Sequence, residues 1–485
     1  MNKAMIRYIL GWILTIEGFF MLLPWLVGLI YRESCTWIFL IVGFCSMGAG
    51  FLVVRKKPER TVFYMREGCV ATALSWILIS LVGCLPFRIS GEIPSFTDAF
   101  FETVSGFTTT GATILGDVEA LSHCMLFWRS LTHWMGGMGV LVLLLAVIRM
   151  GGGSNMNLMR AESTGPAVSK LVPKVMHSAR IVYMIYIALT GVMVIFLLAG
   201  RMPLFDALTT ALGTAGTGGF GIKADSMASY SPYLQWVVTV FMLAFGVNFN
   251  AYYLILFKKW RQAFHMEEVR YYLLVVVAAS AIITANIYNT AVSFEENLRT
   301  ATFQVTSIIT TTGFATTDFN LWPETSRFLL VLLMFFGACA GSTGGGLKIS
   351  RILIMVKTIG REFTSYLFPK SVKKIKVDGK TVEDDVVRGV HVYLAAFAVL
   401  FVISMFCLSF ENIDLISSFT AVAATINNIG PGLNLVGPVE SFAFFSNFSK
   451  YVLIFDMLAG RLELFPMLIL VYPLTWKGVF KKGKK

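Results

Sequence analysis

A short turn that contains glycine occurs four times in this chain, each time between two apolar segments. The first copy is Thr109-Thr110-Gly111-Ala112, and the next two are Thr217-Gly218-Gly219-Phe220 and Thr311-Thr312-Gly313-Phe314. The fourth and most divergent copy is Asn428-Ile429-Gly430-Pro431. Repetition at a period of roughly a hundred residues indicates four copies of one structural unit. Each unit is predicted to contain an apolar helix, a short amphipathic helix, the turn and a second apolar helix.

The composition places these units in a membrane. Hydrophobic residues make up 56% of the chain and charged residues only 14%, a balance that soluble domains do not have. Many segments reach the length of about 20 apolar residues that a spanning helix needs. We therefore expect one integral membrane domain. Its first apolar stretch is too long for a signal-peptide core and is predicted to be a membrane anchor.

The position of the four turns at membrane depth limits what they can do. Irregular backbone survives there only where protein or a water-filled path satisfies its polar groups. Four such turns brought together can direct rings of carbonyl oxygens at a cation and replace its hydration shell. Glycine permits the backbone conformations this requires, and Pro431 still offers its carbonyl. One turn alone would fit an ordinary outer hairpin, but four in register favour an ion filter.

Charged residues give the expected orientation of the spans. Basic clusters fall at every second boundary between apolar segments, for example at 55–57 and 258–261, which marks the cytoplasmic side. The pattern fits ten spans with both termini inside and the glycine turns outside. Acids at the opposite boundaries predict a vestibule that attracts cations. They are Asp98, Glu102, Asp117, Glu119, Asp206, Asp225, Glu295, Glu296, Asp318, Glu411 and Asp414.

The second apolar helix of the third unit contains a glycine-rich stretch. So many glycines cannot continue a straight helix, so we predict a flexible loop within the membrane, below the filter. A close-packed glycine face is the open alternative. A phosphate-binding loop does not fit, because no strand precedes it and no Gly-Lys-Ser/Thr ending follows. The residues concerned are Gly337, Gly341, Ser342, Thr343, Gly344, Gly345 and Gly346.

Three cations lie within or beside the last helices of the third and fourth units. Arg461 stands inside an apolar helix, where a charge needs water or a partner. We predict that it faces the ion path, with a structural pair to Asp456 or Glu463 as the alternative. Lys348 and Arg351, which follow the glycine-rich loop, are predicted to mark the cytoplasmic interface.

The residue types that carry enzyme chemistry are scattered. The five histidines lack metal-ligand spacing, and His133 is expected to be a packed residue and not a base. The seven cysteines form no CxxC motif and are expected to be small core residues, not disulfides or a zinc site. An enzyme is therefore not expected, and no nucleotide-binding motif is present in the sequence.

With these turns, the glycine-rich loop and Arg461, the chain resembles the membrane subunit of the Trk/Ktr/HKT superfamily of potassium transporters, most closely the TrkH type. The resemblance covers nearly the whole chain. It implies that the four turns form a potassium selectivity filter, because glycines at 111, 219, 313 and 430 are the pattern associated with potassium and a serine at the first goes with sodium. It also implies that the glycine-rich loop is a gate and that Arg461 lines the path.

The resemblance also implies the partners and the cellular location. It predicts a homodimer in a bacterial plasma (inner) membrane, with both termini cytoplasmic. A cytosolic TrkA-type regulatory ring would bind the nucleotide (ATP/ADP or NAD), so this chain is expected to need no cofactor and to carry K⁺ only as its transported ion. No nucleic-acid partner is expected.

The fold class expected is an all-α polytopic membrane protein, with four covalently linked helix–pore-helix–filter–helix units around one pore and an extra two-helix hairpin before them. The predicted divisions are 1–66 for the hairpin and linker, then 67–178, 179–268, 269–388 and 389–485 for the four units with their connectors and basic tail. Two alternatives stay open: a sodium-permeable or sodium/potassium transporter of the same superfamily, and a membrane sensor or scaffold that does not conduct.

Overall fold

The computed structural model describes residues 1–59, 64–139, 175–371 and 373–477. Most of these residues are helical, as the predicted fold class requires. Most of the predicted connector at 150–178 and the lysines at 481–485 lie outside the described residues. The only sheet in the described ranges is a hairpin on the third connector, with β1 (Lys376–Val377) antiparallel to β2 (Lys380–Thr381).

The first seven helices form the N-terminal hairpin and the first unit. The hairpin consists of α1 (Lys3–Phe20), α2 (Leu22–Tyr31) and α3 (Thr36–Val54). The unit consists of α4 (Met65–Gly83), α5 (Leu85–Ser90), the pore helix α6 (Phe96–Phe107) and the inner helix α7 (His123–Gly137). The sequence predicts the inner helix of the first unit over 124–149, of which residues 140–149 lie outside the described ranges.

The second and third units repeat this order. The second has α8 (Val175–Ala199), the pore helix α9 (Leu204–Gly216), α10 (Pro232–Gly246), α11 (Phe249–Leu256) and the short α12 (Trp260–Phe264). The third has α13 (Glu267–Ile287), the pore helix α14 (Phe294–Ile309), a 3₁₀ turn at Phe319–Leu321, α15 (Glu324–Met334) and α16 (Ile349–Leu367).

The fourth unit completes the set. It has α17 (Asp384–Leu408), the pore helix α18 (Leu415–Ile426), α19 (Asn447–Arg461) and α20 (Phe465–Val471). Short 3₁₀ turns occupy Ser409–Glu411, Asn434–Val436, Phe442–Phe444 and Pro473–Trp476.

Six of the described helical segments are long and apolar enough to cross a membrane on their own, and the pair α10 and α11, bent by 89°, makes a seventh candidate. The inner helices do not pass this test as single helices because each described one ends or breaks part-way. The described outer helices are therefore long and apolar enough to span alone, whereas the described inner helices are interrupted. Interruption is tolerated at membrane depth where the freed backbone groups find protein partners.

Three of the four pore helices begin at side-chain caps, and all four end at the glycine turns. The side chains of Ser95, Ser293 and Asp414 accept hydrogen bonds from the amides of Asp98, Glu296 and Ser417, which satisfies donors of the first turn. Behind them the N-terminal hairpin packs closely on itself: a Cβ on Gly18 would lie 2.5 Å from the carbonyl of Gly43. The hairpin and the first and fourth units share one apolar core.

Candidate functional site

The four turns adopt one backbone conformation. The residue two before each glycine is left-handed, with φ between 53° and 57° at Thr109, Thr217, Thr311 and Asn428. The glycine itself is left-handed again, with φ between 76° and 97° at positions 111, 219, 313 and 430. A non-glycine residue rarely adopts such angles. The divergent fourth turn therefore keeps the geometry of the others.

The turns also contact one another in a closed ring. A Cβ on Gly111 would collide with the carbonyl oxygen of Gly218, one on Gly219 with that of Thr312, and one on Gly313 with that of Ile429. A Cβ on Gly430 would lie 2.7 Å from the carbonyl oxygen of Thr110, which returns to the first turn. Each glycine thus leaves room for a carbonyl of the next unit, which belongs to the residue just before that unit's glycine. Four repeats far apart in sequence surround one axis in chain order.

Hydroxyl groups in the turns differ from unit to unit. Thr109 is buried and its hydroxyl has no hydrogen-bond partner among the described residues. The Thr217 hydroxyl donates to the carbonyl of Gly216 at 2.6 Å, and that of Thr311 accepts from the amide of Gly345 at 2.6 Å. Of these three threonines, only Thr109 has a hydroxyl without such a bond among the described residues.

Asn428 occupies the equivalent place in the fourth turn and joins two units. Its amide nitrogen donates to the Thr110 hydroxyl at 3.0 Å and to the Met457 carbonyl at 2.9 Å. His133 makes a similar link between the first and second units. Its Nδ1 bonds to the Gly106 carbonyl at 2.8 Å, and its Nε2 accepts from the Phe220 amide at 3.3 Å. His133 is fully buried, as expected of a packed residue.

The glycine-rich stretch is an irregular loop directly beneath the third and fourth turns. It joins α15 to α16 and makes the bond from the Gly345 amide to the hydroxyl of Thr311. A Cβ on Gly344 would lie 2.9 Å from the Thr310 carbonyl, and one on Gly345 would lie 2.6 Å from the Asn427 carbonyl. The loop and the close-packed glycine face, given above as alternatives, are therefore both features of the same segment.

Arg461 lies at the end of α19 and is 5% exposed. Its guanidinium donates to the carbonyl of Thr343 in the loop at 2.8 Å. It also donates to the carbonyls of Gly136 and Gly137, at the end of α7, at 2.5 and 2.6 Å. Arg461 therefore bridges the loop and the first inner helix.

The two acids considered as partners of Arg461 have recorded contacts elsewhere. Asp456 accepts a hydrogen bond from the Ser404 hydroxyl at 2.7 Å, and Glu463 forms an ion pair with Arg351.

Comparison with known proteins identifies the family. The family model TrkH, described as a cation transport protein, matches residues 37–475. This chain belongs to the TrkH family of cation transport proteins. It is 35% identical over 488 residues to the "Trk system potassium uptake protein TrkH" of Salmonella typhimurium, covering 98% of this chain and 100% of the relative. The "Trk system potassium uptake protein TrkG" of Escherichia coli K12 is 31% identical, and the match covers 99% of this chain and 100% of that relative.

A solved structure gives the same result for the fold. The crystal structure of the potassium transporter TrkH from Vibrio parahaemolyticus superposes with a TM-score of 0.88 at 32% identity, covering 98% of this chain and 100% of that one. This TrkH-family protein is therefore a multi-pass helical membrane protein, and it belongs to a class of transporters, not enzymes. The predicted family and fold class are confirmed.

The sequence did not reveal a buried ion pair beside the first and second turns. Glu102, on pore helix α6, accepts a bond from the Nε of Arg129 on α7 at 2.9 Å, and both side chains are buried. Glu102 also accepts from the amide of Ile114 at 3.0 Å. Arg129 donates to the carbonyl of Gly221 at 3.1 Å and lies 4.0 Å from the ring centre of Phe220. The pair connects the segments that follow the first and second turns.

None of the predicted vestibule acids lines the cavity that the four turns border. This cavity holds about 80 Å³, and the charged side chains that line it are Arg129, Lys223 and Glu440. Several of the predicted acids instead neutralise nearby cations, as Glu102 does with Arg129 and Asp98 does with Lys450 at 2.7 Å. Helix packing thus gives these two boundary acids basic partners.

Lys348 and Arg351 do not mark the cytoplasmic interface. They are 1% and 6% exposed. The ammonium group of Lys348 donates a hydrogen bond to the carbonyl of Gly344 within the loop. Glu268, on α13, accepts from the amide of Ala340 at 2.6 Å. Arg351 lies 3.8 Å from the ring centre of Tyr393. These cations belong to the network that holds the loop, and buried cations need such partners.

Breaks in the other inner helices were also missed. The second inner helix bends by 89° between Gly246 and Phe249, and the fourth breaks after Arg461 before α20 resumes at Phe465. Glu463 and Leu464 between them have positive φ. Neither break carries the multiple glycines that revealed the third.

Proposed function

We propose that this protein takes up potassium across a bacterial plasma membrane by conduction through the ring of four turns. The observation that carries this is the cyclic contact between each glycine and the carbonyl of the next unit. Further support comes from the relatives named as potassium uptake proteins, at 35% identity over the whole chain.

The chemistry of the ring suits a large monovalent cation. Backbone carbonyls can replace the hydration shell of potassium, whereas calcium and magnesium sites rely on carboxylates. The residues of the four turns contain no carboxylate, and the nearby Glu102 is neutralised by Arg129. The ring therefore offers oxygen dipoles without a fixed negative charge. Ion binding can then be weak enough for release, as conduction requires.

The loop at 337–346 and Arg461 form the proposed gate. The loop contacts the third and fourth turns from below, through Gly344 and Gly345, and Arg461 holds it to α7 through the Thr343 carbonyl. A fixed positive charge beside the path repels a cation that leaves the filter. Movement of the loop requires the Thr343 bond to break, so a partner that favours the open loop opens the path.

The proposed orientation puts the turns outside and both termini in the cytoplasm. A second copy of the chain would assemble with it in the membrane, and a cytosolic nucleotide-binding ring would bind on the cytoplasmic side. Exposed lysines on the connector between the third and fourth units provide a candidate surface for the ring. They are Lys373, Lys374 and Lys376. Nucleotide chemistry is assigned to that partner.

Ion flux into vesicles tests this function. Purified protein in vesicles should admit rubidium and potassium in preference to sodium, and the gene should restore growth at low potassium to a host without its own uptake systems. Equal sodium and potassium flux would favour the sodium-permeable alternative. A folded protein that passes neither ion, with or without the cytosolic ring, would favour a sensor or scaffold.

A further inference from the structure

Two cysteines that are distant in sequence meet at the outer end of the N-terminal hairpin. Cys35 immediately precedes α3, and Cys124 is the second residue of α7. Their sulfur atoms lie 2.9 Å apart. The residues are 8% and 0% exposed, and both are free thiols in the structure. The scattered spacing of the cysteines concealed this pair.

The backbone around both sulfurs is held by Glu33. Its carboxylate accepts from the amides of His123 and Cys124 at 2.6 and 3.0 Å, and so caps the start of α7. It also bonds to the His123 ring, which stacks on Tyr31 at 3.9 Å. Burial raises the pKa of Glu33, but the Cys124 and His123 hydrogen bonds outweigh burial and lower it overall. The carboxylate thus fixes the hairpin turn to α7 at the point where the thiols meet.

We propose that Cys35 and Cys124 form a disulfide that ties the N-terminal hairpin to the inner helix of the first unit. Both lie at the end of the molecule where the four turns open, since the connection that contains the first turn leads from α6 directly to the start of α7, where Cys124 lies. The inference rests on the orientation proposed above, in which this end faces the oxidising side of the membrane. Disulfides form and persist in that compartment.

The bond forms by thiol–disulfide exchange with an oxidising disulfide carrier of the envelope. One thiolate attacks the carrier's disulfide, and the second thiolate then displaces the carrier from the mixed disulfide. The two S–H bonds lose their protons, one S–S bond forms, and the carrier leaves as a dithiol with the two electrons. Exchange completes before the thiols are buried or during local opening of the turn.

A metal ion is the competing occupant, since Glu33 and both sulfurs lie within 4.8 Å of one another. Two sulfurs on a tetrahedral zinc, each about 2.3 Å from it, would sit about 3.8 Å apart. The sulfurs here are closer than that. A carboxylate has about four acceptor sites, and three bonds from His123 and Cys124 already use most of them. The donor set therefore fits a covalent bond better than a metal centre.

Counting thiols in the full chain tests the inference. The protein is made in a bacterium with an intact envelope disulfide pathway, quenched in acid, denatured and treated with a mass-tagged maleimide, with and without reductant. We expect five tags without reductant, the seven cysteines less the bonded pair, and seven with it. Cys35→Ser should take six tags in both conditions. The exposed Cys45, changed to Ser as the matched control, should leave the reductant-dependent difference of two.

Peptide mapping of the unreduced parent protein decides the case even if a variant fails to accumulate. A cross-linked peptide pair containing Cys35 and Cys124 supports the disulfide. Seven tags without reductant overturn it, and so does a bond mapped to another pair. Stoichiometric zinc, lost in Cys35→Ser, would replace it with a metal site. A protein that conducts potassium but carries seven free thiols refutes only the disulfide, whereas a bonded protein that does not conduct refutes only the proposed function.

Discussion

Removal of the Arg461 side chain should raise ion flux in the absence of any partner. Among the described residues, the guanidinium donates hydrogen bonds to the carbonyls of Thr343, Gly136 and Gly137, and the Thr343 bond joins it to the loop. The bonds to Gly136 and Gly137 join it to α7 and need not change when the loop moves. Arg461→Ala therefore removes one charge-assisted bond that is specific to the closed arrangement.

The size of the effect follows from that one bond. A hydrogen bond to a charged group contributes about 1.5–3 kcal/mol net. Because about 1.4 kcal/mol corresponds to a tenfold change in an equilibrium, the closed state should lose a factor of about 10 to 150 relative to the open state. If the parent is mostly closed, basal rubidium flux should rise by a similar factor. Loss of the repelling charge acts in the same direction.

Rubidium uptake by vesicles that contain only this chain provides the assay. Arg461→Lys is the matched control, because it keeps the charge but cannot reach three carbonyls with one planar group, and its flux should lie between the parent and Arg461→Ala. A variant with the loop shortened between 341 and 346 should also conduct more. If Arg461→Ala and the shortened loop both fold and pass no more rubidium than the parent, the gate is assigned to the wrong residues.

Three further outcomes are expected. Gly111→Ser should reduce the preference for potassium over sodium in flux assays, because the added Cβ collides with the Gly218 carbonyl. Gly116→Ser is the control and should keep the preference, because a Cβ at Gly116 meets open space. Equal selectivity in the parent and both variants would argue against the ring as the filter. Arg129→Met leaves Glu102 buried without its cation, which should lower the free energy of unfolding by about 3–5 kcal/mol and lower the melting temperature in detergent. An unchanged melting temperature would contradict a stabilising role for the pair. Charge reversal of the exposed connector lysines, Lys373, Lys374 and Lys376, should weaken co-purification with the cytosolic ring. Undiminished binding would show that the ring binds elsewhere on the protein.

Much of the fold was predictable because its signals are local or repeated. Apolar length marks the spans, and the spacing of the turn and its glycine recurs four times. The left-handed residues at 109, 217, 311 and 428 occur where the repeat predicted a special backbone. The glycine-rich break after α15 was visible for the same reason, since glycine lowers helix stability wherever it is concentrated.

Contacts between distant residues were not predictable in this way. Glu102 and Arg129 are 27 residues apart, and their pairing depends on how α6 packs on α7. Lys348 was expected at the cytoplasmic surface because the rule for basic residues counts charge near span ends and ignores burial. Its burial follows from the loop, which folds back to offer the Gly344 carbonyl. The fourth helix break depends on positive φ at Glu463 and Leu464, for which neither residue type is a signal.

The closed ring of turns has a consequence for how such a pore can change. In a pore assembled from four identical subunits, every substitution appears four times at once. Here a single chain contains the four turns at different positions in its sequence, so a substitution alters only one quarter of the proposed ion path. The fourth quarter already differs from the rest, with Asn428 bonded to Thr110 and Pro431 beside its glycine. In the proposed filter, selectivity can therefore be adjusted in small steps, one quarter at a time, while the other three maintain the shape of the opening.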